Sequence, residues 1–174
     1  MAQSVELLLD EEATDRLSAQ WDALHLAGLP SLRRPGPDPD HRPHVTLYAA
    51  DRIPADAEEA LPGSVTGLPI PVRIGTVMLF GPRRGQYVLV RQVIASVELL
   101  RLQSRVAEVC RADPRGSFGP GGWSPHVTLA RRMPGERVGA ALAALERFGD
   151  TWPARAVGCR RWDGNRKRAW LLTP

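Results

Sequence analysis

The sequence predicts an α+β fold assembled from two similar halves. Its 174 residues, 43% of them hydrophobic, suffice for one compact domain with a core. The 16 glycines and 16 prolines divide the chain into short strands and helices, which disfavours a long helical bundle. The pentapeptide Pro-His-Val-Thr-Leu occurs twice, at 43–47 and at 125–129. An identical segment in each half indicates an internal duplication.

The first half begins with a strand, a helix and a second strand. The aliphatic segment 5–9 predicts a buried strand. Asp10 can cap the helix that follows, because apolar residues then recur at helical spacing until Gly28. The proline-rich stretch 30–43 predicts a long loop, and the alternating segment 43–48 predicts the strand that carries the first pentapeptide.

A short helix and a hairpin complete the first half. The acidic segment 56–61 predicts the helix. Segments 72–80 and 86–91 predict two strands, with 81–85 as the turn between them.

The second half repeats this pattern in shortened form. An amphipathic helix is predicted from about residue 94 to 109, followed by a glycine-rich loop that extends to Gly122. Segment 125–130 predicts the second pentapeptide strand, and 136–148 a helix. Two final strands flank the Asp163-Gly164 turn. The predicted order is therefore βαβαββ followed by αβαββ, with a helix and a long loop before each pentapeptide.

Charge and cysteine content restrict the possible partners. The net charge of +4 divides into −4 for residues 1–87 and +8 for residues 88–174, and only one of the 23 basic residues is lysine. Arginine binds phosphate well, so an anionic partner fits, although genomic base composition explains an arginine bias equally well. Cys110 and Cys159 lack zinc-site spacing and are expected to be free thiols. We find no signal peptide and no apolar run of membrane-spanning length, and therefore expect a cytoplasmic protein without membrane association.

The two pentapeptides carry residues suited to phosphodiester chemistry. Along a strand, His and Thr point to one face and Val and Leu to the other. If the two halves face each other, one histidine can accept a proton from a hydroxyl or water while the other donates one to the leaving oxygen. The threonine hydroxyls can donate hydrogen bonds to the phosphate oxygens. The predicted catalytic residues are His44, Thr46, His126 and Thr128.

Two His-x-Thr-Leu motifs, at 44–47 and 126–129, resemble those of the 2H phosphoesterase superfamily. The second motif, which continues with Ala130 and Arg131, looks most like the bacterial 2′-5′ RNA ligase and RNA 2′,3′-cyclic phosphodiesterase branch. The resemblance implies a single domain over residues 1–174, made of two interlocked, pseudo-symmetric lobes. Each lobe would have a mostly antiparallel sheet with helices outside, and the active site would lie in the groove between the sheets. It also implies paired-histidine catalysis without a metal.

Four further residues are candidates for substrate binding. Alternation places Tyr48 on the face of His44, where it either lines the groove or packs. Phe118 and Trp123 precede the second motif and either stack on a base or pack as a lid. The resemblance places Arg131 near the phosphate, whereas strict alternation puts it on the opposite face, so the strand must end or bulge there. The basic segment 155–168 either follows an RNA backbone or forms a solvated edge.

These observations lead to one main hypothesis and two alternatives. The main one is a phosphoesterase that opens a 2′,3′-cyclic phosphate on RNA or nucleotide ends to a 2′-phosphate, with reversible 2′-5′ RNA ligation by the same transition state. We expect it to need no cofactor and to be a monomer. The alternatives are a nucleotide- or RNA-binding protein without catalysis, and a 2H enzyme that acts on a small cyclic phosphate.

Overall fold

Strands and helices follow each other in the order that the sequence predicts. The computed structural model describes residues 3–173 except 37 and 39, so two prolines of the predicted loop, Pro37 and Pro39, lie outside the described residues. The strands are β1 (Gln3–Leu9), β2 (His44–Ala50), β3 (Ile70–Arg83), β4 (Gln86–Ile94), β5 (His126–Pro134), β6 (Trp152–Asp163) and β7 (Arg168–Leu171). The helices are α1 (Glu11–Leu26), α2 (Ala55–Ser64), α3 (Val97–Val109) and α4 (Val138–Leu145).

Side-chain caps set the start of the two longest helices. The carboxylate of Asp10 accepts a hydrogen bond from the backbone N–H of Ala13 at 2.9 Å, as predicted for the start of α1. Ser96 does the same for the N–H of Leu99 at the start of α3. This cap explains why α3 begins three residues later than its apolar pattern suggested, since Ile94 still belongs to β4.

The β3–β4 hairpin is longer and its turn is tighter than the sequence predicts. Only Arg84 and Gly85 form the turn, with φ values of 53° and 73°. Positive φ at both central residues is typical of the two-residue turns that suit twisted antiparallel strands. The segment 81–82, which was predicted as part of the turn, instead lies in β3 where the pairing with β4 shifts.

All seven described strands join one antiparallel sheet, in the order β2-β1-β6-β3-β4-β5, with β7 beside β6. Strand β6 pairs with β1 along one edge, and with β3 and then β7 along the other. Strands from the two ends of the chain therefore form one side of the sheet, and β3, β4 and β5 from its middle form the other. The predicted α+β class is confirmed.

The two motif strands lie at opposite ends of the strand order, yet they are close in space. Cα atoms of β2 and β5 approach within 8 Å of each other, so the sheet curves enough to bring its two edge strands near each other. The apolar core includes the inward-facing side chains of β2 and β5 together with residues of all four helices. None of the helices within the described ranges is long and apolar enough to cross a membrane.

Candidate active site

Both motif strands separate their side chains as the alternation predicts. The histidine and threonine of each motif are partly exposed on one face. The valine and leucine of each motif lie on the other face and are almost completely buried in the core. These buried residues are Val45, Leu47, Val127 and Leu129. Burial of the apolar face fixes the direction of the polar one, because successive residues of a strand point to opposite sides.

Strand β2 has a bulge immediately after its motif threonine. Thr46 lies opposite Glu6, but the next pairing is Tyr48 opposite Val5, so Leu47 has no partner of its own. Because Val5 is fully buried in the core, the bulge turns Tyr48 away from the face of His44. Simple alternation does not extend past the motif here, and Tyr48 packs against the core.

Strand β5 has the same irregularity at the same motif position. Thr128 lies opposite Val90, and the next pairing is Ala130 opposite Leu89. Ala130 is fully buried, so the following residue, Arg131, is exposed on the side of the motif histidine. This is the bulge that the sequence required if Arg131 was to lie near His126.

The two imidazole rings are held in the same way. Nδ1 of His44 lies 2.9 Å from the carbonyl oxygen of Arg42, and Nδ1 of His126 lies 2.7 Å from that of Ser124. A carbonyl only accepts, so Nδ1 must carry the proton in both rings. Each ring therefore presents Nε2, the nitrogen that can gain or lose a proton, away from its own backbone.

His126 lies in an environment that favours its neutral form. Its ring meets the ring of Phe80 edge to face, with centroids 4.8 Å apart. Burial lowers the pKa of His126, and the positive charges of His44 and Arg131 lower it further, against the opposing effect of the Ser124 carbonyl. The two motif strands approach within 8 Å at their Cα atoms, and the charges of His44 and Arg131 both contribute to the lowered pKa of His126.

His44 lies beside a buried carboxylate. Its Nε2 is 3.5 Å from Oε1 of Glu6, whose Oε2 accepts a hydrogen bond from Nε of Arg160 at 2.8 Å. The hydroxyl of Ser4 donates to Oε1 of Glu6 at 2.6 Å. Burial raises the pKa of Glu6, but His44, Arg160 and Ser4 outweigh burial and hold it below its usual value. Glu6 is therefore ionised at neutral pH.

Two tryptophan side chains donate hydrogen bonds to the backbones of the motif strands. The indole N–H of Trp123 donates to the carbonyl of Thr46 at 3.0 Å, and that of Trp21, in α1, donates to the carbonyl of Thr128 at 3.0 Å. The hydroxyls of Thr46 and Thr128 form no hydrogen bond to any other residue that the structure describes. His41, which has no motif partner, stacks on Trp21 with centroids 5.0 Å apart.

Of the four predicted substrate-binding residues, three pack against other side chains or the core, and the fourth is exposed. Tyr48 and Phe118 pack against each other with ring centroids 5.6 Å apart. Trp123 is partly buried against the core, and its indole N–H is bonded to β2. Arg131 is exposed, and its charge contributes to the lowered pKa of His126; its place near a phosphate stays a prediction.

The basic segment at the C-terminal end is less exposed than its composition suggests. Arg160 and Arg161 are buried and paired with Glu6 and Glu58, so neither is free to follow a nucleic-acid backbone. The remaining basic residues of the segment are exposed: Arg155, Arg166, Lys167 and Arg168.

Sequence reasoning missed Glu6, Arg160 and Phe80. A signal for Glu6 was present, because a charged residue lies in the middle of a short, otherwise mostly apolar strand. The pairing of Glu6 with Arg160 depends on two strands 154 positions apart in the chain, and sequence alone does not reveal it. Among the described residues, no group of three or more His, Cys, Asp or Glu side chains could hold a metal ion.

Solved structures resemble the chain over almost its whole length. E. coli LigT complexed with ATP is 17% identical, with a TM-score of 0.54 over 99% of this chain and 98% of LigT. Usb1 of Kluyveromyces marxianus is 12% identical, with a TM-score of 0.60 over 98% of this chain and 97% of Usb1. TT0787 of Thermus thermophilus is 21% identical, with a TM-score of 0.53 over 99% of this chain and 95% of TT0787. At these identities the likeness shows the fold.

The family comparison covers most of the chain. No curated protein matches the chain at a significant level. The family model of the 2′-5′ RNA ligase superfamily matches residues 13–166, a range that contains both motifs. This superfamily comprises phosphoesterases and RNA ligases, as the paired His-x-Thr motifs indicated. By this match over most of its length, the chain belongs to the 2′-5′ RNA ligase superfamily of 2H phosphoesterases.

Proposed function

We propose that the protein is a phosphoesterase that opens a 2′,3′-cyclic phosphate at the end of RNA or of a nucleotide and leaves a 2′-phosphate. One of His44 and His126 takes a proton from water as it attacks phosphorus. The other gives a proton to the 3′ oxygen as the P–O3′ bond breaks. With the 5′-hydroxyl of a second RNA as the nucleophile in place of water, the same displacement forms a P–O5′ bond, breaks P–O3′ and leaves a 2′-5′ phosphodiester.

The observation that carries this proposal is the matched pair of imidazoles. Both rings donate Nδ1–H to the carbonyl two residues earlier, which leaves both Nε2 atoms for proton transfer. The lowered pKa of His126, caused by burial and by the charges of His44 and Arg131, favours the neutral form that a base requires. A binding protein without catalysis has no need for two titratable groups held in this way.

Thr46 and Thr128 are proposed to hold the phosphate. Their hydroxyls point to the same face as the histidines, and the tryptophan bonds to their carbonyls fix the backbone beneath them. Hydroxyls fixed in this way can donate to the non-bridging oxygens as charge builds there. Arg131 is proposed to add positive charge next to His126, and E. coli LigT has been solved with 3′-AMP, which supports a nucleotide in this groove.

Hydrogen bonds between the two halves of the chain support two interlocked lobes as the architecture of the site. Trp21 lies in the first half and bonds to β5, whereas Gln103 of α3, from the second half, donates to the carbonyl of Leu47 in β2 at 3.4 Å. Each motif strand is thus braced by a helix from the other half of the chain. We propose that this exchange holds the two motifs at a fixed separation across one groove.

The test is turnover in EDTA of 2′,3′-cyclic nucleotides and of an RNA with a cyclic-phosphate end. We expect 2′-phosphate products, and a loss of at least about 10³-fold in kcat for His44→Ala and for His126→Ala. His25→Ala changes an exposed histidine of α1 and is the matched control. Its activity should equal that of the unchanged protein.

The same assay separates the alternatives. Absence of turnover on every substrate, together with tight binding of a nucleotide monophosphate, indicates a binding protein. Turnover of small cyclic phosphates with weak, salt-insensitive RNA binding indicates a small-molecule enzyme, because contacts to an RNA backbone make binding strongly salt-dependent. Turnover that both histidine substitutions leave unchanged contradicts the catalytic assignment.

A further inference from the structure

A row of side chains leads away from His126 across the central strands of the sheet. Gln92 in β4 lies directly opposite His126 in β5, so the two side chains are neighbours on one face. Ile94, two residues further along β4, shares that face and lies opposite Arg73 of β3. Arg73 and Arg155 are diagonal neighbours on the paired strands β3 and β6. Gln92, Ile94, Arg73 and Arg155, here called the central strip, therefore lie on the face of the motif histidine.

The two arginines of the central strip are exposed although they lie in the middle of the sheet. The residues before and after each of them along the strand are buried in the core, so the arginine side of the sheet is the uncovered one. β3 lies between β6 and β4, and β6 lies between β1 and β3. Protection of a sheet edge, a common reason for a basic residue on an exposed strand, therefore does not account for Arg73 or Arg155.

Neither arginine is neutralised by the protein. Among the residues that the structure describes, neither guanidinium forms an ion pair or a hydrogen bond. Asp10 lies beside the backbone of Arg155, but its two oxygens accept the backbone N–H groups of Ala13, at 2.9 Å, and of Arg155, at 2.6 Å. The strip thus presents two positive charges without a carboxylate bound to either of them.

The amide of Gln92 connects these arginines to the active site. A Cβ atom on Gly75 of β3 would lie 2.8 Å from Oε1 of Gln92 and 3.3 Å from Cγ1 of Ile94. The Gln92 side chain therefore lies over β3 at a position without a side chain. Gln92 is partly buried, and its amide forms no hydrogen bond within the described part of the chain. An amide that is shielded from water gains free energy when a ligand supplies its missing partner.

We propose that the central strip binds the RNA chain that leads to the cyclic-phosphate end, with Arg73 and Arg155 on backbone phosphates and Gln92 on the terminal nucleotide. This inference rests on the proposed function. It narrows the substrate class to an RNA of several nucleotides, as opposed to a single cyclic nucleotide or another small cyclic phosphate.

The length of the strip is the reason for a chain as the ligand. Adjacent strands lie about 4.8 Å apart, so β6 is three spacings, or about 14 Å along the sheet, from β5. A phosphate at His126 and a phosphate at Arg155 then belong to different nucleotides. Arginine binds phosphate with paired N–H donors, and the apolar side chain of Ile94, which is 36% exposed, provides a contact for a ribose or base between them.

The experiment compares Arg73→Gln/Arg155→Gln with the unchanged protein on two substrates, 2′,3′-cyclic AMP and a single-stranded oligoribonucleotide with a cyclic-phosphate end. KM for the oligoribonucleotide should rise at least about tenfold, because two charge-assisted contacts are lost. The kcat/KM for 2′,3′-cyclic AMP should be unchanged, because one nucleotide does not reach the arginines. Far-UV circular dichroism checks that the variant is folded.

Salt dependence gives a readout that needs no turnover. Binding of the same oligoribonucleotide with a 3′-phosphate is measured by fluorescence anisotropy at several salt concentrations. Each contact to a phosphate of a single strand contributes about 0.7 to the slope of log Kd against log salt, so the double variant should lower this slope by about 1.4.

Gln92→Leu tests the amide separately. It should raise KM for both substrates by about threefold to tenfold, because both contain the terminal nucleotide, and leave the salt slope unchanged. A KM that stays the same for both substrates overturns the contact assigned to Gln92.

Arg101→Gln/Arg168→Gln is the matched control, since it removes the same charge from two exposed arginines off the strip. Arg101 lies in α3, which packs on the core side of the sheet. Arg168 lies opposite Asp163, which alternation places on the face opposite to that of Arg160 and the motif threonine. KM and the salt slope of this variant should equal those of the unchanged protein.

Four outcomes overturn the proposal. The strip variant leaves the RNA KM and the salt slope unchanged, or the control variant changes them equally, which indicates a general effect of net charge. KM for 2′,3′-cyclic AMP rises as much as KM for RNA, which places the arginines at the reacting nucleotide. Poly-glutamate competes as well as an RNA of the same charge, which indicates a surface for acidic protein segments. A protein that turns over no cyclic phosphate contradicts the proposed function, but anisotropy still measures the strip, so the two failures are distinguishable.

Discussion

Arg131 is the residue whose position depends most on a backbone irregularity. The bulge at Leu129 buries Ala130 and returns Arg131 to the side of His126. Burial is the main cause of the lowered pKa of His126, and the charge of Arg131 lowers it further. If His126 is the proton acceptor, it works when neutral, so activity should be lost only as the pH falls below the ordinary histidine value of about 6.5.

Arg131→Gln should move that acid limb upward. Removal of a neighbouring positive charge raises the pKa of His126, because the charge of Arg131 is one of the causes that lower it. The measurement is the pH profile of kcat/KM at constant ionic strength. Arg132→Gln, at the adjacent exposed residue, is the control and should leave the limb where it is. A uniform drop in kcat/KM without a shift would mean that Arg131 binds substrate but does not tune His126.

At the residue scale, the sequence predicted the side-chain directions within each motif but not those of the residues that follow the motif. His44, Thr46, His126 and Thr128 share a polar face because alternation holds over the four residues of each motif. The bulges that follow depend on the partner strands, which the sequence does not identify. Tyr48 was therefore predicted on the wrong face of β2, whereas Arg131 could be placed only by requiring a bulge. The roles of all these residues in the reaction stay predictions.

At the element scale, the two tryptophan bonds tie helix and loop to motif strands from the other half of the chain. Trp21 is 5% exposed and donates to the carbonyl of Thr128, and Trp123 donates to that of Thr46. Each bond gives the carbonyl of a motif threonine a side-chain donor from the other half of the chain. The motif backbone is thus held by side chains from the other half of the chain, while its histidine and threonine stay partly exposed.

Trp21→Phe and Trp123→Phe should each lower the free energy of unfolding by about 1 to 3 kcal/mol, because a carbonyl away from water loses its donor. Urea denaturation followed by far-UV circular dichroism measures the loss. Trp162→Phe is the matched control, since no hydrogen bond of its indole to another described residue is present. An equal loss in all three variants would show that ring size, not the N–H bond, accounts for the effect.

The element order was predictable because periodicity and turn residues are local. The sequence predicted a hairpin turn that is too long, because Gly81-Pro82 is a common turn signal. In the structure β3 continues through these two residues, and the chain reverses at Arg84 and Gly85. Tertiary pairing decided between two possible turns in the same short segment. Helix α3 shows the opposite case, where a local cap at Ser96 overrides the apolar pattern.

At the scale of the whole molecule, one sheet contains strands from both of the halves that the repeat defines. β6, from the end of the chain, lies between β1 and β3 and pairs with both. The sequence contains no signal for this placement, because β6 could pair with many strands of similar composition. As a result, β6 joins the side of the sheet that carries the first motif to the side that carries the second.

A single cooperative unfolding transition follows from this arrangement. Leu47 and Leu129 occupy equivalent positions in the two motifs, both are 0% exposed, and both belong to one continuous core. Leu47→Ala and Leu129→Ala should each cost about 2 to 5 kcal/mol, and each should shift the whole transition, whichever half carries the cavity. Circular dichroism and the fluorescence of the five tryptophans should give coincident curves. Leu26→Ala, at a side chain that is 83% exposed, should shift neither. Two separated transitions, with each substitution moving only one of them, would mean that the two motif regions fold independently.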